Sequence, residues 1–378
     1  MKLLLDRQKF LSSLQLVVRA TATRSAIQAL SGILISCDEA GDGSVQLAAT
    51  DTEIGLRSQV DAKIDTSGRT LAPGRLLVDI VRAFDVDELS LEYKVDKREL
   101  EVSGGQSKFV LKGLASEDFP RLPELSSEAS LEVPGDVFAQ TVDRVARAAS
   151  RDETRPVLTG ILVSLSGQVL RMVATDSYRL SVRETSADVG ATEDFEVNVP
   201  ARALQEVSRI VADMETERLT ISAADNQVVF GIGSVILSSR MIEGQFPNYQ
   251  QLLPESYEHE IRLDRREIMS VVRRVSLMAQ RNAPLRLRFE DGSLTVTAQT
   301  PDVGEASEST PVGYGGEPLE IGFNPQFFQD GLETAEVDEL VLKLISPLRP
   351  GLIEAGATGD EESGGRFLYL IMPVRLNV

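Results

Sequence analysis

The sequence predicts an α+β chain built as three tandem repeats, each with two helices packed on antiparallel sheet. Three observations carry that class. The chain echoes itself at a nearly constant offset, the offset is close to one third of the 378 residues, and every copy mixes two helical windows with short alternating runs.

The echo is plainest between the first two copies. LSGILIS at 30–36 returns as LTGILVS at 158–164, and LAATDTEIGLR at 47–57 returns as MVATDSYRLSVR at 172–183. Asp51 and Asp176 thereby fall in register, 125 residues apart. LAPGRLLVDIVRAF at 71–84 aligns with NVPARALQEVSRIV at 198–211, and EDFPRLPEL at 117–125 with GQFPNYQQLLPE at 244–255. A fainter third copy shows in REIMSVVRRVSLMA at 266–279, which parallels DVFAQTVDRVARAAS at 136–150. RLRFEDGSLTVTAQ at 286–299 likewise parallels 160–174, with ATD become AQT. The expected domains are 1–126, 127–256 and 257–378.

In chain order, the first helical window places Phe10, Leu11, Leu14, Val17 and Val18 on one face; its counterpart in the second copy uses Val137, Val142, Val145 and Ala149. The second window opens after Pro73 and Pro200, where proline suits a first helical turn. Alternating runs such as ELSLEYK, RELEVSG and SKFVLKG read as strands. Gly, Asn and Asp punctuate them at close intervals, which favours antiparallel pairing through short turns.

Composition narrows the function classes. Asp and Glu total 58 against 39 Lys and Arg, a net charge of -19, so indiscriminate polyanion binding by the whole surface is disfavoured. The single Cys37 permits no internal disulfide and reads as buried filler in an apolar run, which fits a reducing compartment. MKLLLD is too short for a signal-peptide core, and nowhere do about 18 apolar residues run together. A soluble cytoplasmic protein, with no membrane partner, is expected.

Catalytic chemistry finds little support. The only histidine, His259, excludes a multi-histidine metal site, and it reads as an exposed linker residue. Neither GxxxxGK[ST] nor GxGxxG occurs, so nucleotide binding is unsupported. Asp51 and Asp176 could be acid/base or metal ligands. The preferred reading is a repeated turn device, because Asp and Ser/Thr after a strand commonly bond the local backbone.

Arginine nevertheless concentrates in the helical windows. The second copy offers Arg144, Arg147, Arg151 and Arg155; the third offers Arg265, Arg266, Arg273, Arg274 and Arg281. Arg19 and Arg24 follow the first helix, and the second windows add Arg75, Arg82, Arg202 and Arg209. No aromatic residues interleave with them, which disfavours base stacking and leaves sequence-independent attraction to phosphates. The alternative is an ordinary solvated helix face.

ATDSYRLSV at 174–182, FPNYQQLLP at 246–254 and LIMPVRL at 370–376, in that order on a threefold repeat, resemble the bacterial DNA polymerase III β subunit family, the replicative sliding clamps. The likeness covers essentially the whole chain. It implies a head-to-tail homodimer of three-domain subunits, a closed ring around double-stranded DNA with sheets outside and helices lining the pore. It further implies no cofactor, ring opening by an ATP-driven clamp loader, and docking of the polymerase III α subunit, other polymerases and repair proteins through short linear peptides.

Residue by residue, the resemblance implies a docking groove formed by Leu158, Thr175, Ser177, Tyr178, Arg179, Leu180, Pro247 and Leu252. Leu370, Met372, Pro373, Val374, Arg375 and Leu376 complete it. Its apolar side chains would accept Leu or Phe anchors, adaptable Met372 would tolerate varied partners, and Arg179 or Arg375 would pair with polar groups. Arg24, Arg75, Arg144, Arg147, Arg151, Arg155, Arg202, Arg273 and Arg274 are the expected DNA-facing cations. The expected subunit contacts are Lys97, Arg98, Lys108, Phe109 and Leu111 against Leu277, Asp302, Glu305 and Glu308. The chain departs from the family pattern in Asn377 and Val378, beyond the Leu where the family commonly ends, and in Asp152 and Glu153 within the DNA-facing segment. Two other classes are distinguishable: a peptide-binding adaptor that encircles nothing, and a hydrolase using Asp51 and Asp176.

Overall fold

Helices start where an apolar stripe follows a residue able to end a strand. The computed structural model describes residues 1–38, 41–126, 130–186, 194–224, 226–280, 283–355 and 365–376. Among them lie α1 (Arg7–Val17), α2 (Gly74–Ala83), α3 (Gly135–Val145), α4 (Ala201–Met214), α5 (Arg265–Ser276) and α6 (Pro325–Ala335), two in each sequence copy. Asp6 caps α1 by accepting from the Lys9 amide at 2.8 Å, and Asp264 caps α5 from the Glu267 amide at 2.8 Å. Asn324 does the same for α6, with Pro325 in the first turn. Helices α2 and α4 open directly after Pro73 and Pro200, as expected, though each proline ends a strand and does not lie inside the first helical turn. None of the helices described is long and apolar enough to cross a membrane.

The chain divides into two units, Met1–Glu132 with Asp213–Met241, and Val133–Ala212 with Ile242–Val378. In the first, one antiparallel sheet runs in the order Ser107–Lys112, Glu99–Gly104, Glu88–Lys94, Lys2–Asp6, Ile54–Thr66, Val235–Arg240, Gln227–Ile232, Arg218–Ala224. Copy-two strands therefore extend the copy-one sheet. Phe10, Leu14 and Val17 of α1 are fully buried, as are Leu77 and Val81 of α2. Cys37 is buried here, as the apolar run implied.

In the second unit, an eight-stranded sheet runs Phe195–Pro200, Gly160–Ser166, Val169–Thr175, Arg179–Ser186, Gly365–Ile371, Gly351–Ala355, Glu339–Leu344, His259–Asp264. A four-stranded sheet runs Gly304–Pro311, Ser293–Thr300, Leu285–Glu290, Leu319–Phe323. The side chains of α5 and α6 close the main core against both, burying Ile268, Val272, Phe328 and Leu332 with Phe289, Phe323 and Tyr369. His259 is no linker residue. It opens a strand, half-buried, with its ring 5.5 Å from that of Tyr314.

Sheets cross the repeat junctions in one register. Gly55 lies opposite Ser238 at the first junction, and its counterpart Leu180 lies opposite Leu370 at the second. The amide of Arg240 donates to the Glu53 carbonyl at 3.0 Å, and that of Met372 to the Tyr178 carbonyl at 2.8 Å. The same strand edge is thus used twice within one chain.

Candidate docking groove and basic helices

The turn at 175–180 is built by its own side chains. The Thr175 hydroxyl donates to the Arg179 carbonyl at 2.6 Å, and Asp176 Oδ1 accepts from the amides of Tyr178 at 2.9 Å and Arg179 at 3.0 Å. Ser177 is held at φ 78° between them, a strained value for a residue with a side chain. Thr50, Asp51 and Thr52 build the same turn in the first copy, with Thr52 at φ 80°. Both aspartates serve as turn acceptors, the role that the repeat suggested.

Arg179 is fixed from several sides. Its Nε donates to Asp176 Oδ2 at 3.0 Å and its Nη1 to Asp330 Oδ2 and to the Tyr369 hydroxyl, while its guanidinium carbon lies 4.3 Å from the Phe327 ring centre. Burial opposes its charge, but Tyr369, Asp330 and Asp176 outweigh burial and push its pKa above the ordinary value. Burial likewise raises the pKa of Tyr369, whose hydroxyl donates to the Phe327 carbonyl at 2.8 Å. Only about 10% of the Arg179 side chain is exposed, so it positions neighbouring groups and does not present itself to a peptide. Tyr178, 60% exposed, covers Phe327 instead.

The last segment completes the face. After pairing with Tyr178 through Met372, it crosses to the four-stranded sheet, where the Val374 amide donates to the Gly322 carbonyl at 2.8 Å. Glycine is needed there, since a Cβ on Gly322 would lie 2.5 Å from Leu376 Cδ2 and 2.9 Å from the Val374 carbonyl oxygen. Met372, Pro373, Val374 and Leu376 are half-buried; Arg375, Ser177, Pro247 and Leu252 are exposed. Leu158, Thr175, Leu180 and Leu370 differ from the expected surface role, because all four are buried. Leu180 and Leu370 join Val173, Tyr249 and Leu368 in a cluster on which Met372 packs. Leu158 is tied in through its neighbour Arg155, whose Nη1 donates to Ser177 Oγ at 3.0 Å. Asn377 and Val378 lie outside the described residues.

Phe327, Asp330, Tyr369 and Gly322 were not picked out from the sequence. The capping pair Asn324 and Pro325 marks the start of their helix, but nothing in the local pattern brings α6 to a turn 150 residues earlier.

The basic helices are more heavily paired than expected. Arg144 is buried, with Nε and Nη2 at 3.3 and 3.1 Å from Glu336 Oε2, so it stands apart from the exposed cations. Arg147 donates to Glu333 and lies 3.5 Å from Asp330 Oδ1, while Arg273 donates to Glu333 at 2.8 Å. Glu333 is held below the usual carboxylate range by those bonds from Arg273 and Arg147. Arg274 binds Glu308, joining an expected DNA contact to an expected subunit contact. Asp152 accepts from the Thr154 amide at 3.0 Å and binds Arg155 at 3.1 Å. Arg24, Arg75, Arg151 and Arg202 are exposed; Arg281 lies outside the described residues.

Of the expected subunit contacts, Lys97, Arg98, Asp302 and Glu305 are exposed, as are Phe109 and Leu277, at 41% and 73%. Lys108 is exposed but binds Glu101 at 2.7 Å, and Leu111 points into the core.

Family models of the DNA polymerase III beta subunit match in order: the N-terminal domain at residues 1–123, the central domain at 132–248 and the C-terminal domain at 250–375. The chain is 33% identical to the beta sliding clamp of Streptomyces coelicolor and 31% identical to that of Synechococcus elongatus, over 100% of both chains in each case. Its fold matches the sliding clamp of Bacillus subtilis with a TM-score of 0.93 at 26% identity, covering 100% of both chains. By its three-domain clamp fold and its full-length similarity, the chain belongs to the beta sliding clamp family, the non-catalytic beta subunit of DNA polymerase III.

Proposed function

We propose that two copies of this chain join head to tail as a closed ring of six clamp domains, divided near residues 126 and 256. The ring encircles double-stranded DNA and tethers the replicative polymerase. The observation that carries this reading is a pair of strand edges. Strand Ile54–Thr66 and strand Arg179–Ser186 each accept the last strand of the following copy. Their counterpart Gly304–Pro311 pairs, among the described residues, only with Ser293–Thr300. Ser107–Lys112, the counterpart of the accepted strands, likewise pairs along one side with Glu99–Gly104. An open edge beside exposed Phe109 and Val110 invites pairing with another chain, and two such edges on one molecule close a symmetric dimer. Carrying over the internal register sets Val110 opposite Glu305, Phe109 opposite Ala306 and Lys108 opposite Ser307.

Enclosure makes retention independent of tight binding. Phosphate contacts from exposed arginines then need only be weak and sequence-independent, which permits sliding. An ATP-driven loader opens the ring. The polymerase α subunit, other polymerases and repair proteins dock short peptides across Tyr178, Pro247, Leu252 and Met372–Leu376, with apolar anchors lodged over the buried Leu180 and Leu370 floor.

The test is co-migration with nicked circular DNA, in the presence of a loader and ATP, before and after linearisation. Retention on the circle and release from the linear form are expected. Equal behaviour on both would replace the ring with the adaptor reading.

A further inference from the structure

Asp330 stands between the two surfaces. Its side chain is buried, and its two oxygens are divided: Oδ2 accepts from Arg179 at the docking turn, while Oδ1 accepts from Gln326 at 3.0 Å and lies 3.5 Å from Arg147 Nη1. Arg147 is nearly half exposed, and its second acidic partner, Glu333, is shared with the exposed Arg273. Asp330 and Glu333 are three residues apart on α6 and so share one helix face.

We propose that this shared carboxylate couples the two surfaces: when phosphate draws Arg147 away from α6, Asp330 holds Arg179 more firmly and the docking face binds its peptide more tightly. The coupling rests on the sliding-clamp reading above and adds a regulation to it. Two guanidinium groups on one buried carboxylate repel each other, so removing the exposed one strengthens the other bond. Arg179 in turn fixes the turn that carries Tyr178, through Asp176, and lies over Phe327, on which Tyr178 rests. A turn already held in place loses less freedom when a peptide docks. Coupling of this kind is reciprocal, so an occupied docking face also favours phosphate at Arg147.

The experiment is fluorescence anisotropy of a labelled short peptide with Leu and Phe anchors, read with and without a saturating short duplex at low salt. In the unsubstituted protein the duplex should tighten peptide binding about fivefold, the low end for coupled sites. Arg147→Gln should bind the peptide that tightly without DNA and respond no further to duplex. Glu333→Gln should shift the other way, because Arg147 then leans wholly on Asp330. Lys63→Gln, an exposed cation on strand Ile54–Thr66 and outside both sets of surface residues, should leave peptide affinity unchanged without DNA. Thermal melts of each variant confirm that it is folded. Peptide affinity indifferent to duplex, or equal in Arg147→Gln and the unsubstituted protein, overturns the coupling while leaving the clamp reading intact. Loss of retention on circles, or no peptide binding at all, overturns the clamp reading and the coupling with it.

Discussion

Tyr178 stacks on Phe327, with ring centres 6.5 Å apart and planes 29° from parallel. The stack fixes the most exposed aromatic of the docking face to the first turn of α6, where Arg179 covers the same ring. Phe327→Ala removes both contacts without disturbing the cap at Asn324. Peptide affinity should fall about tenfold, as for a central aromatic anchor, with little change in melting temperature. Unchanged affinity in an anisotropy titration would remove Phe327 from the docking surface.

The edge pairing predicts which substitutions split the dimer. Val110→Pro deletes an amide and stiffens the Ser107–Lys112 strand, so sedimentation should show a folded monomer. Glu305→Lys should weaken the dimer less, because the backbone ladder remains. Lys108→Cys combined with Ser307→Cys should cross-link two copies under mild oxidation, the buried Cys37 staying unreacted. A dimer that survives Val110→Pro unchanged would sink the ladder.

Gly331→Ala sets two effects against each other. Helix propensity favours alanine by about 1 kcal/mol in a helix interior. Yet a Cβ at Gly331 would lie 2.6 Å from Tyr369 Cδ1 and 2.9 Å from Ile353 Cδ1, in a packed core. Overpacking of that kind costs about 1–3 kcal/mol, so the clash should win. A lower melting temperature checks the sign, and a rise would show that the Tyr369 ring can move aside.

Acid should loosen the α3–α6–α5 contact. Glu333 ionises more readily in the folded protein because Arg273 and Arg147 donate to it. Its contribution is therefore fully present above the unfolded carboxyl value, roughly pH 4.3, and is lost as pH falls through the lower folded value. Glu333→Gln should cost about 0.5–1 kcal/mol near neutral pH and almost nothing in strong acid. Denaturant titrations at several pH values read the difference; a cost that stays constant with pH would exclude the ion pairs as its source.

Particular residues show where sequence reasoning reached and where it stopped. Thr50 and Thr175 were legible as equivalents because the turn they build is local: each hydroxyl donates four residues ahead, to Ile54 and Arg179. Exposed Tyr178 and the half-buried Met372–Val374 followed from motifs of the same local kind. Arg144 did not, since its burial depends on Glu336, 192 residues away. Leu180 and Leu370 were read as surface anchors although they face each other across a ladder and lie in the core cluster. One-dimensional periodicity names the faces of an element; which element covers a face is decided by distant chain. Hence Phe327 and Asp330 stayed hidden in a helix for which the sequence marks only the start, at Asn324 and Pro325.

The repeated register at the two internal junctions has a mechanical consequence for a ring. All of its junctions would share one backbone ladder, differing only in whether peptide bonds bridge them. Bridged junctions re-form at the high effective concentration imposed by the chain. An unbridged one is tethered only through the opposite seam, a far longer path with a lower effective concentration, so a seam between chains parts first under any load that bears equally on all. A dimer offers two such seams, and the place where DNA enters is then chosen by covalent connectivity, with no need for a weaker set of contacts.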